Sequence, residues 1–331
     1  MKILISPLDW GLGHATRLIP IIKKLSDNGN DIIIAGDGKS FELIKKYFDN
    51  VQFIPFYSIH FKYSKNGLNI FNYFIIAFQM IWQTIYEHLK LKKIIKSYKI
   101  DIIISDNRYG LFNKNVTSYL ITHQLNIILP KYLSFANPLV NSYLKHYLKK
   151  YDRILIPDYQ AENESLAGKL SHLNNYNKLL ISYIGPLSRF ERVNISINEK
   201  KYDILILISA PLPYCKLIMK ELNYYASLNT AAFFAIISPY SFISKKTNLT
   251  IIKSPDDMQW LSIVSNAKNI ISTAGYSTIM DLFLLNKNAI LIPVKGQTEQ
   301  KYLANYLNNK HGFKKADSFN NAIAQVLQQQ K

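Results

Sequence analysis

Gly275-Tyr276-Ser277-Thr278-Ile279-Met280-Asp281, then Ala289-Ile290-Leu291-Ile292-Pro293-Val294, then Gly296-Gln297-Thr298-Glu299-Gln300, are the segments whose reading decides the fold. They read in order as a tight glycine turn, a helix, a buried strand and a second polar loop. The first loop leaves backbone N–H groups at a helix start, where an anion is favoured because those groups have no partner inside the helix. Asp281 lies one helical turn from Ser277 and Thr278 and so shares their face. The second loop puts amides and a carboxylate at the C-terminal end of a strand, where open α/β sheets bind their ligands. One loop suits a diphosphate and the other a polyhydroxylated group.

Working outward, the same alternation of apolar runs and helical periodicity fills the chain. Strands are predicted at Asp203 to Ser209, Phe233 to Ser238, Leu249 to Lys253 and Asn269 to Ser272. Ser254-Pro255-Asp256-Asp257 reads as a helix start, with Ser254 as N-cap and Pro255 at the first helical position. Upstream, Lys2 to Ser6 is a strand, Ala15 to Leu25 a helix and Asp31 to Ala35 a buried strand, which is a βαβ opening to a parallel sheet. Further strands are predicted at Ile100 to Ser105, Ser118 to Thr122 and Arg153 to Pro157. Gly185-Pro186 precedes a charged, irregular stretch from Arg189 to Lys201, so two doubly wound domains are expected, residues 1–186 and 187–331.

Length and composition agree with two globular domains: 331 residues, 48% hydrophobic and 13% aromatic. The formal net charge of +18 fits nucleic acid, an anionic membrane or an anionic small substrate as partner. A Lys-, Asn- and Ile-rich compositional bias would also produce it. Cys215 is the single cysteine, so an internal disulfide and a cysteine-based metal site are excluded, and a cytoplasmic setting is expected. The N-terminal apolar run is interrupted too soon by Pro7 and Asp9 for a signal peptide. The longest apolar tract, Ile70 to Tyr86, falls short of the about 20 apolar residues a membrane span needs and is broken by Asn72, Gln79 and Gln83. It reads as a buried or amphipathic helix. Lys90, Lys92, Lys93, Lys96 and Lys99 follow it, a pattern that suits either a solvated face or docking on anionic lipid. No nucleic-acid-binding motif accompanies the charge, and no nucleic-acid partner is expected.

Asp9-Trp10-Gly11-Leu12-Gly13-His14 joins the first strand to the first helix. As a dinucleotide fingerprint it has two of three glycines, with Thr16 at the third place, and Asp37 stands where the ribose-binding acid would be. That leaves an NAD-dependent enzyme as one reading, although it gives the second anion loop no role. Asp106-Asn107-Arg108 and His123-Gln124 end buried strands, where polar residues face a ligand crevice.

The Gly275–Gln300 segments resemble the donor half of a GT-B glycosyltransferase, in the MurG-like branch with a family 28 type C-terminal domain. The resemblance implies two Rossmann-like doubly wound domains facing across a cleft. It implies transfer of a sugar from a nucleotide diphosphate sugar, UDP-linked and with inversion, to a glycan or lipid-linked hydroxyl acceptor. It places Gly275, Tyr276, Ser277 and Thr278 on the diphosphate, Asp281 on the ribose, and Gln297, Glu299 and Gln300 on the sugar. Gly11 and Gly13 resemble an acceptor-side loop, and His123 and Gln124 are similar to an acceptor-side pair. His14, at a helix N-terminus that disfavours positive charge, would be the catalytic base, with Asp106 a second base or its orienter. No cofactor beyond the nucleotide sugar and no metal is implied. Peripheral attachment to the inner face of the membrane is compatible with a lipid-linked acceptor, and the C-terminal helix is expected to cross back to the first domain. Two departures stand out. Ser209-Ala210-Pro211-Leu212-Pro213-Tyr214-Cys215 lacks the family's glycine and basic residues, and Thr273 replaces its usual Arg. Both remove phosphate contacts, which leaves open a non-catalytic protein that binds nucleotide or glycan without turnover.

Overall fold

The computed structural model describes residues 1–59, 70–172, 179–190, 201–210 and 212–328. Among these residues, one compact unit runs to Arg189 and a second begins at Phe190. The charged stretch expected between the domains lies, at residues 191–200, outside the described residues.

The first unit alternates strands and helices. It begins β1 (Lys2–Pro7), α1 (Leu12–Asp27), β2 (Asp31–Gly36), α2 (Gly38–Lys45), β3 (Gln52–Pro55) and α3 (Ile70–Tyr98). It continues β4 (Ile102–Asp106), β5 (Thr117–Ile121), α4 (Asn137–Leu148), β6 (Arg153–Ile156) and β7 (Ile181–Tyr183). The strands form a parallel sheet in the order β3-β2-β1-β4-β5-β6-β7. Central strands are covered on both faces, which is why Ile3-Leu4-Ile5 and Ile32-Ile33-Ile34 are continuous apolar runs rather than alternating ones. One face packs Leu18 and Ile22 of α1 on Ile5 and Ile34. The other packs Leu91 and Ile94 of α3 on Leu4 and Ile103.

The second unit repeats the plan. It begins β8 (Tyr202–Leu207), α5 (Leu212–Leu228), β9 (Phe234–Ser238), β10 (Leu249–Lys253), α6 (Asp257–Ser265) and β11 (Ala267–Thr273). It continues α7 (Tyr276–Leu284), β12 (Ala289–Ile292), α8 (Thr298–Tyr306), β13 (Phe313–Lys315) and α9 (Phe319–Gln328). Its sheet is parallel in the order β10-β9-β8-β11-β12-β13. In α9, Phe319, Ala322, Ile323 and Val326 join the core of this unit, so the described helix is built into its own domain instead of crossing back.

Each sheet reverses direction beside its first strand. β1 lies between β2 and β4, and β8 lies between β9 and β11. At such a switch point the loops leaving two neighbouring strands run to opposite faces and open a crevice at the C-terminal strand ends. The β1–α1 and β4 loops, and the β8–α5 and β11–α7 loops, are therefore the places to look for chemistry.

Two local expectations are corrected. The N-cap of α6 is Asp256, whose carboxylate accepts the Gln259 N–H at 2.8 Å, and Ser254 stands outside the helix at φ 40. The apolar tract belongs to a helix that continues to Tyr98, and the first half of that helix is inverted in polarity. Gln83, Thr84 and Glu87 are buried, while Phe78 and Trp82 are 72% and 49% exposed. Among the described residues no helix is long and apolar enough to cross a membrane.

Candidate active site

The β1–α1 loop is fastened before it reaches α1. Asp9 accepts the Ser40 N–H at 2.7 Å, and Ser40 Oγ donates to the Gly11 carbonyl at 3.1 Å. Trp10 Nε1 donates to the Ile59 carbonyl at 3.1 Å. Gly11 sits at φ 144 and ψ 161, a conformation that L side chains rarely adopt, so glycine is required by the backbone there. Gly13 is half-buried in the first turn of α1, followed directly by His14.

His14 and Arg17 are three residues apart on α1 and point the same way. Register pairs Pro7 of β1 with Asp106 of β4, which brings the carboxylate beside the α1 start. Asp106 is fully buried. Arg17 grips it with a two-pronged contact, Nε to Oδ2 at 2.9 Å and Nη2 to Oδ1. Asp106 Oδ1 also stands 3.2 Å from His14 Nδ1, and Arg17 Nη2 stands 2.8 Å from the same nitrogen. Arg17 Nη1 reaches His123 Nδ1 at 3.4 Å, so His123, just beyond β5, belongs to this cluster. His14 keeps 16% of its side chain exposed, the open edge of an otherwise closed group.

The charges follow from this geometry. Burial pulls the His14 pKa below its ordinary value; Asp106 opposes the shift and Arg17 reinforces it. Burial alone would raise the Asp106 carboxyl, but the Arg17 guanidinium, helped by His14, outweighs it and holds the group below the usual carboxylate range. The cluster therefore consists of an anionic Asp106, a cationic Arg17 and a neutral imidazole. Gln124, half-buried, makes a backbone turn with the Thr122 hydroxyl at 3.0 Å.

One acid and one basic residue that the sequence placed near ligand, Asp37 and Arg108, have structural partners. Arg108 is buried in an ion pair: Nε donates to Glu87 at 2.8 Å, Nη1 to Ser58 Oγ at 2.9 Å, and its plane covers the Phe56 ring. Asp37 accepts the Ser58 N–H at 2.9 Å, which ties the end of β2 to the segment after β3.

In the second unit, β11 ends at Thr273 and Gly275 caps α7 without a side-chain bond. Gly275 has φ −77 and ψ 133, an ordinary extended conformation, and a Cβ built there would meet nothing within 4 Å. Neither the backbone nor packing requires glycine, so its effect is a bare approach to the first turn of α7. The N–H groups of Tyr276, Ser277 and Thr278 precede the first helical bond, Ile279 N–H to the Gly275 carbonyl at 3.0 Å. Ser277 and Thr278 are half-buried; Tyr276 and Asp281 are buried.

The departures at this site have a structural reason. Thr273 Oγ1 accepts the Ser209 N–H at 3.0 Å and bridges the two switch-point strands, a bond that the usual Arg would not make. Cys215 Sγ donates to the Ala210 carbonyl at 3.2 Å. The last loop is organised by Gln300, which is buried: its Oε1 accepts the Val294 N–H at 3.1 Å, and its Nε2 donates to Gln297 Oε1 at 2.6 Å. Gln300 shapes the loop, while Gln297 and Glu299 remain partly exposed on it.

Residues 238–329 match the glycosyltransferase family 28 C-terminal domain, the span that holds both donor-type loops. Over nearly the whole length the chain is similar to an uncharacterised glycosyltransferase of Methanosarcina mazei, at 25% identity over 91% of this chain and 82% of that one. A Methanosarcina acetivorans relative of the same description is 26% identical over 91% and 82%. Among solved structures, the glycotransferase of kitacinnamycin superposes with a TM-score of 0.65 at 10% identity, covering 99% of this chain and 90% of that one. The spinosyn rhamnosyltransferase SpnG complexed with thymidine diphosphate gives 0.63 at 12% identity, covering 99% and 92%. Phytolacca americana UGT2 complexed with UDP-2-fluoro-glucose and pterostilbene gives 0.64 at 13% identity, covering 99% and 89%. The chain has the GT-B fold, and the match of residues 238–329 to the family 28 C-terminal domain together with its glycosyltransferase relatives supports a glycosyltransferase.

Proposed function

We propose that the chain transfers a sugar from a nucleoside diphosphate sugar, UDP-linked, to a hydroxyl acceptor with inversion at the anomeric carbon. The observation that carries the reading is the His14–Asp106 pair: a neutral imidazole with one open edge, backed on Nδ1 by a buried carboxylate. The acceptor oxygen attacks the anomeric carbon from the face opposite the diphosphate, and its proton passes to His14 Nε2. The bond from that carbon to the diphosphate oxygen breaks, and the diphosphate leaves with the electron pair. Asp106 is a positioning residue, because both its oxygens face Arg17 or His14 and none of its surface is exposed.

The second unit holds the donor. The first turn of α7 offers N–H groups and the positive end of the helix dipole to the diphosphate, whose charge grows as it leaves. Asp281 serves the ribose hydroxyls, and Gln297 and Glu299 serve the sugar. SpnG with thymidine diphosphate and UGT2 with a UDP-sugar support a nucleotide-sugar donor.

The acceptor is lipid-linked in this reading. Phe74, Phe78, Ile81, Trp82, Ile85 and Leu89 form one exposed apolar face of α3, and Lys90, Lys92, Lys93 and Lys96 follow on the same helix. Such a face with a basic rim suits an anionic membrane surface, where the chain would sit peripherally on the cytoplasmic side. A second reading, nucleotide binding without turnover, is favoured by the Ser209–Cys215 loop, which brings no basic side chain. Calorimetry with UDP, thymidine diphosphate and GDP, followed by release of diphosphate from the matching sugar nucleotides, tests both. Binding with release that depends on His14 supports the transfer. Binding without release by the wild type with any glycan or polyprenyl-linked acceptor supports the second reading.

A further inference from the structure

The transfer as written makes no use of Arg17, yet Arg17 makes the shortest contact to the base. Its guanidinium is always protonated and can only donate. His14 Nδ1 faces that donor at 2.8 Å and the Asp106 acceptor at 3.2 Å. A neutral imidazole carries one proton and so cannot satisfy both. If Nδ1 donates to Asp106, Nε2 holds a lone pair and can take a proton from a hydroxyl. If Nδ1 accepts from Arg17, the proton sits on Nε2, and the atom that must act as base is a donor instead. The shorter contact is the one to Arg17, at 2.8 Å against 3.2 Å to Asp106 Oδ1. The resting geometry therefore favours the tautomer that is not a base.

We propose that Arg17 is a positioning residue that holds resting His14 with its proton on Nε2, so that the base becomes competent only when Nδ1 exchanges Arg17 for Asp106. This rests on the reading of His14 as the base. The exchange moves no net charge: Nδ1 gains a proton from water and Nε2 returns one. An acceptor hydroxyl can accept from a protonated Nε2 or donate to an unprotonated one, and only the second arrangement, with Nδ1 donating to Asp106, places the hydroxyl proton for transfer. The groups facing His14 are Arg17 from α1, Asp106 from β4 and His123 from the loop after β5. Arg17 works in the same direction on charge as on tautomer, since a cation beside the ring disfavours the imidazolium.

The test is imidazole nitrogen NMR on the full chain, with the His14 signal assigned by its loss in His14→Gln. The wild type is expected to show a protonated Nε2 and an unprotonated Nδ1. A wild type with Nδ1 protonated overturns the proposal without any need for an Arg17 variant. Arg17→Lys keeps a charge for Asp106 but loses the fork, and the proton is expected to move toward Nδ1; an unchanged tautomer overturns the proposal. Arg17→Gln removes the charge, so the His14 titration midpoint and the acid limb of kcat/KM are expected to rise together by about 1–3 pH units. A folded Arg17→Gln with both unmoved also overturns it. If His14→Gln keeps full activity while the tautomer depends on Arg17 as described, it is the base assignment that fails.

Discussion

Gly275→Ala separates fold from function at the donor site. The residue has φ −77 and ψ 133, which alanine adopts freely, and the new methyl would meet nothing within 4 Å. A Gly→Ala change at such a conformation gains about 0.4–1 kcal/mol from the less free unfolded chain, and at this N-cap it loses a similar amount because alanine caps a helix less well than glycine. The melting temperature is therefore expected to stay within about 2 °C of the wild type. Nucleotide binding is expected to change. The methyl stands at the cap of α7, where a diphosphate must approach to reach the Tyr276, Ser277 and Thr278 N–H groups. Loss of one or two charge-assisted bonds costs about 1.5–3 kcal/mol, or about a 10- to 150-fold weaker Kd for UDP. Calorimetry gives the affinity, and a thermal melt of the same sample without ligand shows that the fold is intact. Unchanged UDP affinity in a variant that melts within about 2 °C of the wild type would refute the α7 start as the diphosphate seat.

Four other outcomes are expected. His14→Ala should lower turnover by about 10²–10⁴-fold and leave nucleotide affinity unchanged if the donor is held, as proposed, by the other unit; full activity would move the base elsewhere. Burial, with Arg17 assisting, lowers the His14 pKa, so the base stays neutral below the ordinary imidazole range. The acid limb of kcat/KM should then lie below about pH 6.5, and a limb at or above that value would contradict the cluster as described. Thr273→Val should cost about 1 kcal/mol in denaturant unfolding through the lost Ser209 N–H acceptor, and no loss would make that bridge inconsequential. Flotation with anionic vesicles should fall as salt rises, each lysine near the surface adding about 1 kcal/mol at low salt; equal recovery with neutral lipid would remove the electrostatic part.

The central strands were legible because burial on both faces writes them as unbroken Ile and Leu runs, as at Ile32-Ile33-Ile34 and Ile204-Leu205-Ile206. β3, β7 and β13 are short strands flanking those central ones and carry no such run, so nothing in Gln52–Pro55 or Phe313–Lys315 marks a strand. The glycine loop and His14 were legible as a motif, and Asp106 as an acid at a strand end. Arg17 was not, because its partners lie 89 and 106 positions away and its helical neighbourhood looks routine. The available signal was its spacing of three from His14, which puts both on one face. Arg108 misled for the complementary reason. A polar residue just past a strand reads as crevice-facing, and only the tertiary structure reveals Glu87 waiting inside α3. That same buried Glu87, with Gln83 and Thr84, decides between the buried and the amphipathic reading of the Ile70–Tyr86 tract. Gln83, Thr84 and Glu87 face inward, where they have partners, and Phe74, Phe78 and Trp82 face outward.

The two units use one device in opposite ways. Each places a helix start at the switch point of a parallel sheet, so each presents the positive end of a helix dipole at its strand ends. In the second unit that field opens on bare backbone at Gly275, the arrangement that the proposed diphosphate seat requires. In the first it acts on His14, where a positive charge is disfavoured and the ring stays neutral. A base beside a buried carboxylate alone would be drawn toward the imidazolium and lose its capacity to accept a proton. Arg17 cancels the Asp106 charge and so preserves what the helix start provides. Replacing Asp106 with Asn while keeping Arg17 should therefore push the His14 midpoint lower still, because Asp106 is the group that raises it and Arg17 then acts unopposed. A midpoint that rises in Asp106→Asn, read by the same imidazole NMR, would show that Arg17 does not set the charge at His14.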